Sequence, residues 1–365
     1  MNPFEAPLAA ICRNWGLNPS EAELLQNSTH AVIRFPRAGV LIRLARDIHA
    51  DRHLVRVAAA LAEAEVPIAK LWAPEPEQAE GWSATAWHLL PPPPAERFPA
   101  ADLAEPLRRL HGCRLPLDLP AWDLPGMILG ALDRPLPPEW APAEVGMSSD
   151  ELRTRLKALC HEISGDLRAA LGAGAEGGGA GAGVGGAGAG GAGTGVGSAG
   201  NAGTGSAGNA GTGSAGAGAG SAGSAGAGGT GDGVGRAGAG GGGLGLGTVH
   251  GDAHTGNLLW DPGRGAVLCD LDTVAWGPLE VDLVPAAHGV ERFRRDARDY
   301  ERLVEGYGFD VRESPVWGVL RRLRDLQLAV YMLPRPPAGE ELGRRVRAVL
   351  DGDHDAVWGR FGGYA

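Results

Sequence analysis

Apolar residues cluster in two short runs near the N-terminus, residues 31–35 and 40–44, with a tight turn containing proline and glycine between them. Runs of this length, rich in valine and isoleucine and flanked by turn residues, predict a pair of antiparallel strands. The alanine- and leucine-rich segment 50–64 then predicts a helix. Segment 66–72 is a further strand candidate, and 83–90 predicts a strand that ends before a run of four prolines.

After the prolines the apolar pattern becomes helical. Leu103, Leu107 and Leu110 recur at spacings of three and four, as on one face of a helix. A longer stripe with the same spacing follows two cap candidates, Ser149 and Asp150. This stripe consists of Leu152, Leu156, Leu159, Ile163, Leu167 and Leu171.

The order of these elements predicts the fold class. Strands come first and helices dominate afterwards, with one late hairpin around residues 261–265. This order is typical of an α+β chain with two lobes. We predict a small antiparallel-sheet lobe over residues 1–90 and a larger, mainly helical lobe over 91–365, with the hinge near the prolines at 91–94.

One tract interrupts this organisation, residues 172–247, which holds 38 of the 61 glycines. Its repeats of glycine, alanine, serine and threonine offer no large side chain to bury, while ordering the backbone costs about 1–2 kcal/mol per residue. We predict a disordered insertion in the second lobe. Outside the tract the composition is that of an ordinary globular protein.

The formal net charge of −10 argues against a nucleic-acid binder, which needs a basic face. The four cysteines form no CxxC pair, so neither a disulfide framework nor a cysteine zinc site is expected. The N-terminus lacks the features of a signal peptide, and no bulky apolar run is long enough for a membrane span. We therefore expect a cytoplasmic protein without nucleic-acid or membrane partners, and the sequence leaves its oligomeric state open.

The densest polar cluster is the loop segment VHGDAHTGNLLW at 249–260, followed by the apolar strand candidate AVLCDLD. Asp252, Asn257 and Asp270 converge if the hairpin between them folds back. The oxygens of Asn257 and Asp270 suit Mg²⁺, which takes one or two protein ligands together with substrate phosphates. Asp252 is then free to orient or deprotonate an attacking hydroxyl. These are the parts that phosphoryl transfer requires.

Other interpretations of the same cluster are also compatible with the sequence. His250, Asp252 and His254 alternate along the chain, as three ligands of a metallohydrolase would. Taken singly, His250 is better interpreted as a loop histidine that supports Asp252, and His254 as either loop scaffold or active-site contact. Asp272 either touches a second metal ion or caps the next segment.

HGDAHTGN followed by LCDLD resembles the catalytic segment of the aminoglycoside phosphotransferase family, small-molecule kinases with a protein-kinase-like fold. The resemblance implies ATP and Mg²⁺ as cofactors and a small-molecule hydroxyl as acceptor. It implies that Asp252 is the catalytic base and that Asn257 and Asp270 bind magnesium. In WGPLEVDL it implies that Asp282 braces the catalytic loop. The segment LRRLHG at 107–112 is also typical of bacterial members.

The phosphate clamp departs from the family pattern. Where the family has a strand lysine, VLIRLA places Arg43, whose guanidinium can bind phosphate with two parallel hydrogen bonds. The acid that normally pairs with the clamp is not at the expected position, which holds His53 or Leu54. The nearest acid is Asp51.

The rest of the nucleotide site is assigned from the same resemblance. The loop over the phosphates contains no glycine, and Ser28 and Thr29 would donate hydrogen bonds there. The adenine would lie against the backbone from His88 to Leu90.

The sequence leaves two questions about function open, whether the chain is active and which acceptor it takes. A chain with so altered a phosphate site could be a nucleotide-binding pseudokinase without activity. Several acids of the second lobe could line a pocket for a cationic aminoglycoside, although a solvated helical face is the favoured interpretation. These acids are Asp296, Asp299, Glu301, Glu305 and Asp310.

Overall fold

The computed structural model describes residues 4–27, 30–135, 145–176, 243–333 and 339–359. The N-terminal half contains a five-stranded antiparallel sheet with the strand order β1-β2-β3-β5-β4. Two helices flank it, α1 and α2. The elements are α1 (Glu5–Trp15), β1 (Glu23–Asn27), β2 (Ala31–Phe35), β3 (Val40–Ala45), α2 (Ile48–Glu63), β4 (Glu77–Ala79) and β5 (Trp82–His88).

Strand β3 shows why this sheet positions a functional side chain. Val40, Ile42 and Leu44 alternate into the buried core of the first lobe. Because successive side chains point to opposite faces of a strand, Arg43 lies on the other face. Helix α2 begins directly afterwards, where the Asp47 carboxylate accepts hydrogen bonds from the backbone of the first turn.

The strand predicted at 66–72 is wrong. The segment makes only isolated bridges within the described chain, from Ile68 to Leu268 and from Leu71 to Trp87. Its backbone bonds are divided between two partners in different halves of the protein: Ala69 N donates to Leu268 O, and Trp72 N donates to Ala86 O. A segment that changes partner after a few residues cannot extend either ladder, so it connects the two halves instead.

The C-terminal half is mainly helical, with two small two-stranded sheets. The long helix α5 and the helix α8 form its centre, and α4 and α9 pack against both. The elements are α3 (Ala104–Gly112), α4 (Leu124–Asp133), α5 (Ser149–Glu176), β6 (Leu246–Val249), β7 (Leu258–Asp261), β8 (Gly265–Leu268), β9 (Ala275–Pro278), α6 (Val284–Phe293), α7 (Ala297–Tyr307), α8 (Trp317–Met332) and α9 (Gly339–Asp351).

Two sequence predictions, the long helical stripe and the late hairpin, are confirmed in this half. The stripe beginning at Leu152 lies within α5, and most of its members are buried in the core. The hairpin pairs β7 with β8, with Asp261 opposite Gly265. In the described chain no helix combines the length and apolarity that crossing a membrane would require.

The predicted bounds of the glycine-rich tract, residues 172–247, are wider than the gap between ordered elements. Helix α5 continues through residues 172–176, and strand β6 begins at Leu246. Alanine favours continuation of the helix at the first end. Pairing with β9, where Gly247 lies opposite Gly277, orders the second end. Residues 177–242 lie outside the described residues, so their disorder stays a prediction, as does the boundary between lobes at residue 90.

Candidate active site

The loop that connects β6 to β7 carries the predicted catalytic residues, and a buried carboxylate holds it. Asp282 accepts hydrogen bonds from His250 N at 2.6 Å and from Gly251 N at 2.8 Å. The same carboxylate contacts His111 Nε2 at 2.9 Å, and His111 Nδ1 lies 2.6 Å from the hydroxyl of Tyr307. Asp282 thus ties the start of the loop to α3 and α7, as the family resemblance implied.

Gly251 is required by the close approach of a neighbouring chain segment. Its φ is 84°, in the left-handed region, and a Cβ built there would lie 2.4 Å from Thr273 O. Thr273 Oγ1 in turn donates to His250 O at 2.8 Å. The loop is therefore packed directly against the segment that follows Asp270.

His250 supports the loop from within. It is fully buried, its Nε2 lies 2.9 Å from Cys269 O, and its Nδ1 is 3.4 Å from the backbone N of Asp252. This pattern assigns the proton to Nε2 and leaves Nδ1 as acceptor. Both ring nitrogens have protein partners, which agrees with a loop-supporting histidine.

Asp252 is largely buried, with 15% of its side chain exposed. One carboxylate oxygen is 3.3 Å from Arg324 Nη1, and the other is 3.6 Å from His254 Nε2. Burial alone would raise the pKa of Asp252, but contact with His254 and the positive charge of Arg324 outweigh it and hold the pKa well below its ordinary value. The carboxylate is ionised at neutral pH.

Asn257 and Asp270 flank the β7–β8 hairpin at its open end, Asn257 just before β7 and Asp270 shortly after β8. Asn257 Nδ2 donates to Asp252 O at 2.9 Å, which fixes the amide and leaves its oxygen free to accept. The backbone N of Cys269 donates to Asn257 O at 2.9 Å, so Asn257 lies beside the residue that precedes Asp270. The hairpin thus folds back as the sequence predicted.

Asp270 has a left-handed backbone conformation and a raised pKa. Its φ and ψ are both 59°, in the left-handed region that few residues other than glycine adopt. Burial, followed by the negative charge of Asp272, raises the pKa of Asp270 to about 6. Crowded carboxylates of this kind are stabilised by a cation.

The donor set fits magnesium. In the described ranges no group of three or more His, Cys, Asp or Glu side chains is arranged to hold a metal ion. An amide oxygen at Asn257 and a carboxylate at Asp270 match an ion that takes few protein ligands and completes its shell with water and phosphate. His250 and His254 do not suit a zinc site, because His254 Nδ1 accepts from Gly256 N at 3.0 Å and both nitrogens of His250 have partners.

Arg43 joins the two halves of the protein beside Asp270. Its Nη1 is 2.7 Å from Asp51 Oδ1, and its Nη2 is 2.5 Å from Asp272 Oδ2. Asp51 is fully buried on the first turn of α2. The partner acid of Arg43 in the first lobe is therefore Asp51, the acid nearest to the expected position at residues 53–54. Asp272, for which the sequence left two roles open, pairs with Arg43.

The other predicted nucleotide-binding residues in the described chain lie at and just after the end of β5. The backbone N of His88 donates to Lys70 O at 2.9 Å, and the next residue, Leu89, donates to Gly39 O at 2.8 Å. Leu90 follows directly, outside the strand. Ser28 and Thr29 lie outside the described residues.

Three residues near the site were missed by sequence reasoning. Burial, followed by the charge of Arg43, lowers the pKa of His30 to about 4. His111 holds Asp282, and its only sequence signal is its place in LRRLHG. Arg324 contacts Asp252 from α8, across a sequence separation of 72 residues. No local pattern distinguishes it from the neighbouring arginines.

The acids considered for a cationic pocket have other roles. Asp299 accepts from Ala100 N at 2.6 Å, and Asp296 caps α7. Asp310 accepts from the hydroxyl of Tyr300 at 2.6 Å. Glu301 and Glu305 are exposed on α7. This arrangement favours the interpretation as structural and solvated acids.

A model of the phosphotransferase enzyme family matches residues 243–324, a segment that contains Asp252, Asn257, Asp270 and Asp282. The resemblance inferred from HGDAHTGN is thereby confirmed for this part of the chain. No curated protein sequence matches the chain.

Solved structures of several kinases are similar to the whole chain. An aminoglycoside phosphotransferase from Streptomyces rimosus is 14% identical with a TM-score of 0.51, over 88% of this chain and 97% of that one. An amicoumacin kinase in complex with AMP-PNP, Ca²⁺ and Ami is 10% identical with a TM-score of 0.57, over 96% and 95%. An ethanolamine kinase from Plasmodium vivax is 10% identical with a TM-score of 0.50, over 94% and 86%. The predicted two-lobed kinase-like α+β fold is confirmed.

Proposed function

We propose that this protein transfers the γ-phosphate of ATP, with Mg²⁺, to a hydroxyl of a small molecule. The observation that carries the proposal is the convergence of Asp252, Asn257 and Asp270 on one loop and hairpin. From the first lobe, Arg43 contacts Asp272, two residues after Asp270. The similar structures include a phosphotransferase bound to ADP and streptomycin and a kinase bound to AMP-PNP, which supports ATP as the donor.

Asp252 would receive the acceptor hydroxyl. Its pKa lies below the ordinary value, so it is a weak base that orients the hydroxyl first and takes the proton late. A loose phosphoryl-transfer transition state needs little more, because most of the catalysis comes from positioning and electrostatic stabilisation.

The oxygens of Asn257 and Asp270 would hold magnesium, which neutralises charge on the phosphates when bound. Arg43 would contact the phosphates together with the loop around residues 28–29. The backbone from His88 to Leu90 would receive the adenine. Retention of Asp252, Asn257 and Asp270 favours an enzyme over a pseudokinase, since loss of activity removes the need for all three.

The central test is Asp252→Asn. With a panel of hydroxyl compounds and phosphorylation followed by ATP consumption and mass spectrometry, we expect turnover to fall by roughly 10²–10⁴-fold while ATP affinity changes little. Asp118→Asn, which alters an exposed carboxylate in a loop, is the matched control. Equal turnover in both variants would remove Asp252 from the mechanism.

A further inference from the structure

We infer that Arg324 selects the acceptor: the hydroxyl compound carries an anionic oxygen group, a carboxylate or phosphate, close to its reactive hydroxyl, rather than an ammonium group. This inference rests on the proposed function, because it concerns the chemistry beside Asp252. It departs from a cationic aminoglycoside as acceptor.

Arg324 is placed to meet the acceptor. It shares a face of α8 with Gln327 and Tyr331, at spacings of three and seven residues. Its Nη1 donates to Gln327 Oε1 at 2.7 Å and lies 3.3 Å from Asp252 Oδ1. A hydroxyl bound to Asp252 therefore places its neighbouring atoms within about 5 Å of the guanidinium, given ordinary hydrogen-bond lengths.

The guanidinium has donors to spare. Its Nε is buried without a hydrogen-bond partner in the described chain, and its contact with Asp252 is longer than the 2.7–2.9 Å usual for charged pairs. Arg292 differs from Arg324 in this respect. Its Nε and Nη2 both bind the carboxylate of Asp325, at 2.9 and 2.5 Å. Arg324 is thus held in place while part of its hydrogen-bonding capacity remains for a ligand.

The surrounding charges favour an anion. The positive charges of both Arg324 and Arg134 act on the Tyr331 hydroxyl. Burial, followed by the charge of Asp252, raises the pKa of Tyr331 to about 12, so this hydroxyl stays protonated and able to donate. Several carboxylates on α8 and on the helices packed around it are paired with other cations. These pairs are Asp325 with Arg292, Glu291 with Arg321, Glu162 and Asp166 with Arg322, and Asp133 with Lys157.

The charge of Arg324 determines which ligand groups can bind next to Asp252. A guanidinium binds carboxylate or phosphate through parallel hydrogen bonds and repels an ammonium at the same distance. Of the acids that could bind an amino sugar, Asp296, Asp299 and Asp310 bind other groups of the protein, and Glu301 and Glu305 are exposed on α7. The site next to Asp252 therefore offers a cation and neutral donors to the part of the acceptor beyond its hydroxyl.

The test uses linear six-carbon polyols that differ in charge: gluconate, sorbitol and glucamine, with sorbitol 6-phosphate separating phosphate from carboxylate. At pH 7.5 with saturating ATP and magnesium, we expect kcat/KM to be at least 10-fold higher for an anionic compound than for glucamine. In Arg324→Gln this ratio falls about 10-fold or more through loss of the anion, whereas Arg324→Lys keeps part of it. Arg322→Gln, on the same helix but paired at the surface, leaves the ratio unchanged.

The outcomes separate the two proposals. A purely structural Arg324 would lower the rates of all the polyols equally in Arg324→Gln, and a preference for glucamine would contradict the inference directly. Either result leaves the kinase function standing. If turnover is too slow, NMR binding of the same compounds to protein loaded with AMP-PNP and magnesium gives the ranking, with the same outcomes. A protein that binds no ATP and phosphorylates no alcohol would instead refute the proposed function.

Discussion

At the scale of single residues, two carboxylates a short distance apart in the chain titrate in opposite directions. The pKa of Asp252 is held below its ordinary value, chiefly because His254 and Arg324 outweigh its burial. The pKa of Asp270 rises to about 6, because it is buried beside Asp272. Environments that push two acids apart in this way give each a different task. Here they favour an ionised hydroxyl-orienting group and a carboxylate that needs a cation.

Asp270→Asn should stabilise the metal-free protein above pH 6. An acid whose folded pKa is raised binds protons more tightly when folded, so stability falls as pH rises from about 4 to 6 and stays lower above. A shift of this size corresponds to up to about 3 kcal/mol. Asparagine also tolerates the left-handed backbone of this position. Thermal unfolding without magnesium between pH 4 and 8 should show a gap that opens across this window.

The control for this experiment is Asp118→Asn, whose carboxylate is exposed. It should give a pH curve parallel to that of the unaltered protein. Added magnesium and ATP should stabilise the unaltered protein more than Asp270→Asn. Parallel curves for the Asp270 variant would mean that its carboxylate carries no burial penalty.

The three residues whose convergence could be predicted from spacing alone lie in one contiguous segment. Asp252, Asn257 and Asp270 lie within a loop and the hairpin that returns to it, so local spacing was sufficient to bring them together. Arg324 could not be predicted, because its contact with Asp252 depends on how α8 packs. Nothing in the repeated arginines of that helix states which one faces the loop.

At the scale of elements, prediction succeeded where burial imposes a period and failed elsewhere. Strands β2 and β3 and helix α5 are confirmed because each buries a regular set of apolar side chains. Strand β1 gave no signal, since its side chains are nearly all exposed. Segment 66–72 is apolar like a strand, but its backbone bonds go to two partners. Apolar composition indicates that a segment is buried, whereas the strand with which it pairs depends on the rest of the fold.

Arg43 connects β3 to α2 through Asp51 and to the C-terminal half through Asp272. If it also contacts the phosphates, Arg43→Ala should weaken ATP–Mg²⁺ binding by roughly 10–150-fold, because charge-assisted bonds worth about 1.5–3 kcal/mol are lost. Arg43→Lys should recover part of the affinity, since it keeps the charge but not the fork. Isothermal titration with ATP, with and without magnesium, measures both.

A stability effect has to be separated from this loss of affinity. Removing Arg43 leaves the buried Asp51 without its cation, which is strongly destabilising for a buried pair. Asp51→Asn combined with Arg43→Ala should restore folding but not nucleotide affinity. Arg37→Ala, in the exposed turn before β3, serves as the matched control. Normal ATP binding in the double variant would place the phosphate clamp at another residue.

At the scale of the whole molecule, the order of strands and helices was enough to predict two lobes, and the catalytic segment was enough to predict which fold they form. The long-range contacts around the site could not be predicted in the same way. Examples are the contact of Arg43 with Asp272 and that of His111 with Asp282. These contacts join segments that are far apart in the chain, so they follow from the packing of the lobes and not from local pattern.

The glycine-rich tract leaves this architecture at the end of α5 and returns just before β6, where Leu244 N donates to Glu280 Oε1 at 2.8 Å. Because almost no side chain in residues 177–242 could join a core, we expect the fold and activity to be independent of them. Replacing them with Gly/Ser linkers of about 6, 12 or 24 residues reduces closure entropy by only about 1–2 kcal/mol. At least the longer linkers should therefore fold and phosphorylate as the full chain does, with an equal or slightly higher Tm. Residues 172–176 are kept because they belong to α5, and residues 243–247 because they lead into β6 and begin it. Loss of activity with all three linkers, or slow amide exchange within the tract of the full chain, would show that the tract packs against the protein or acts in its function.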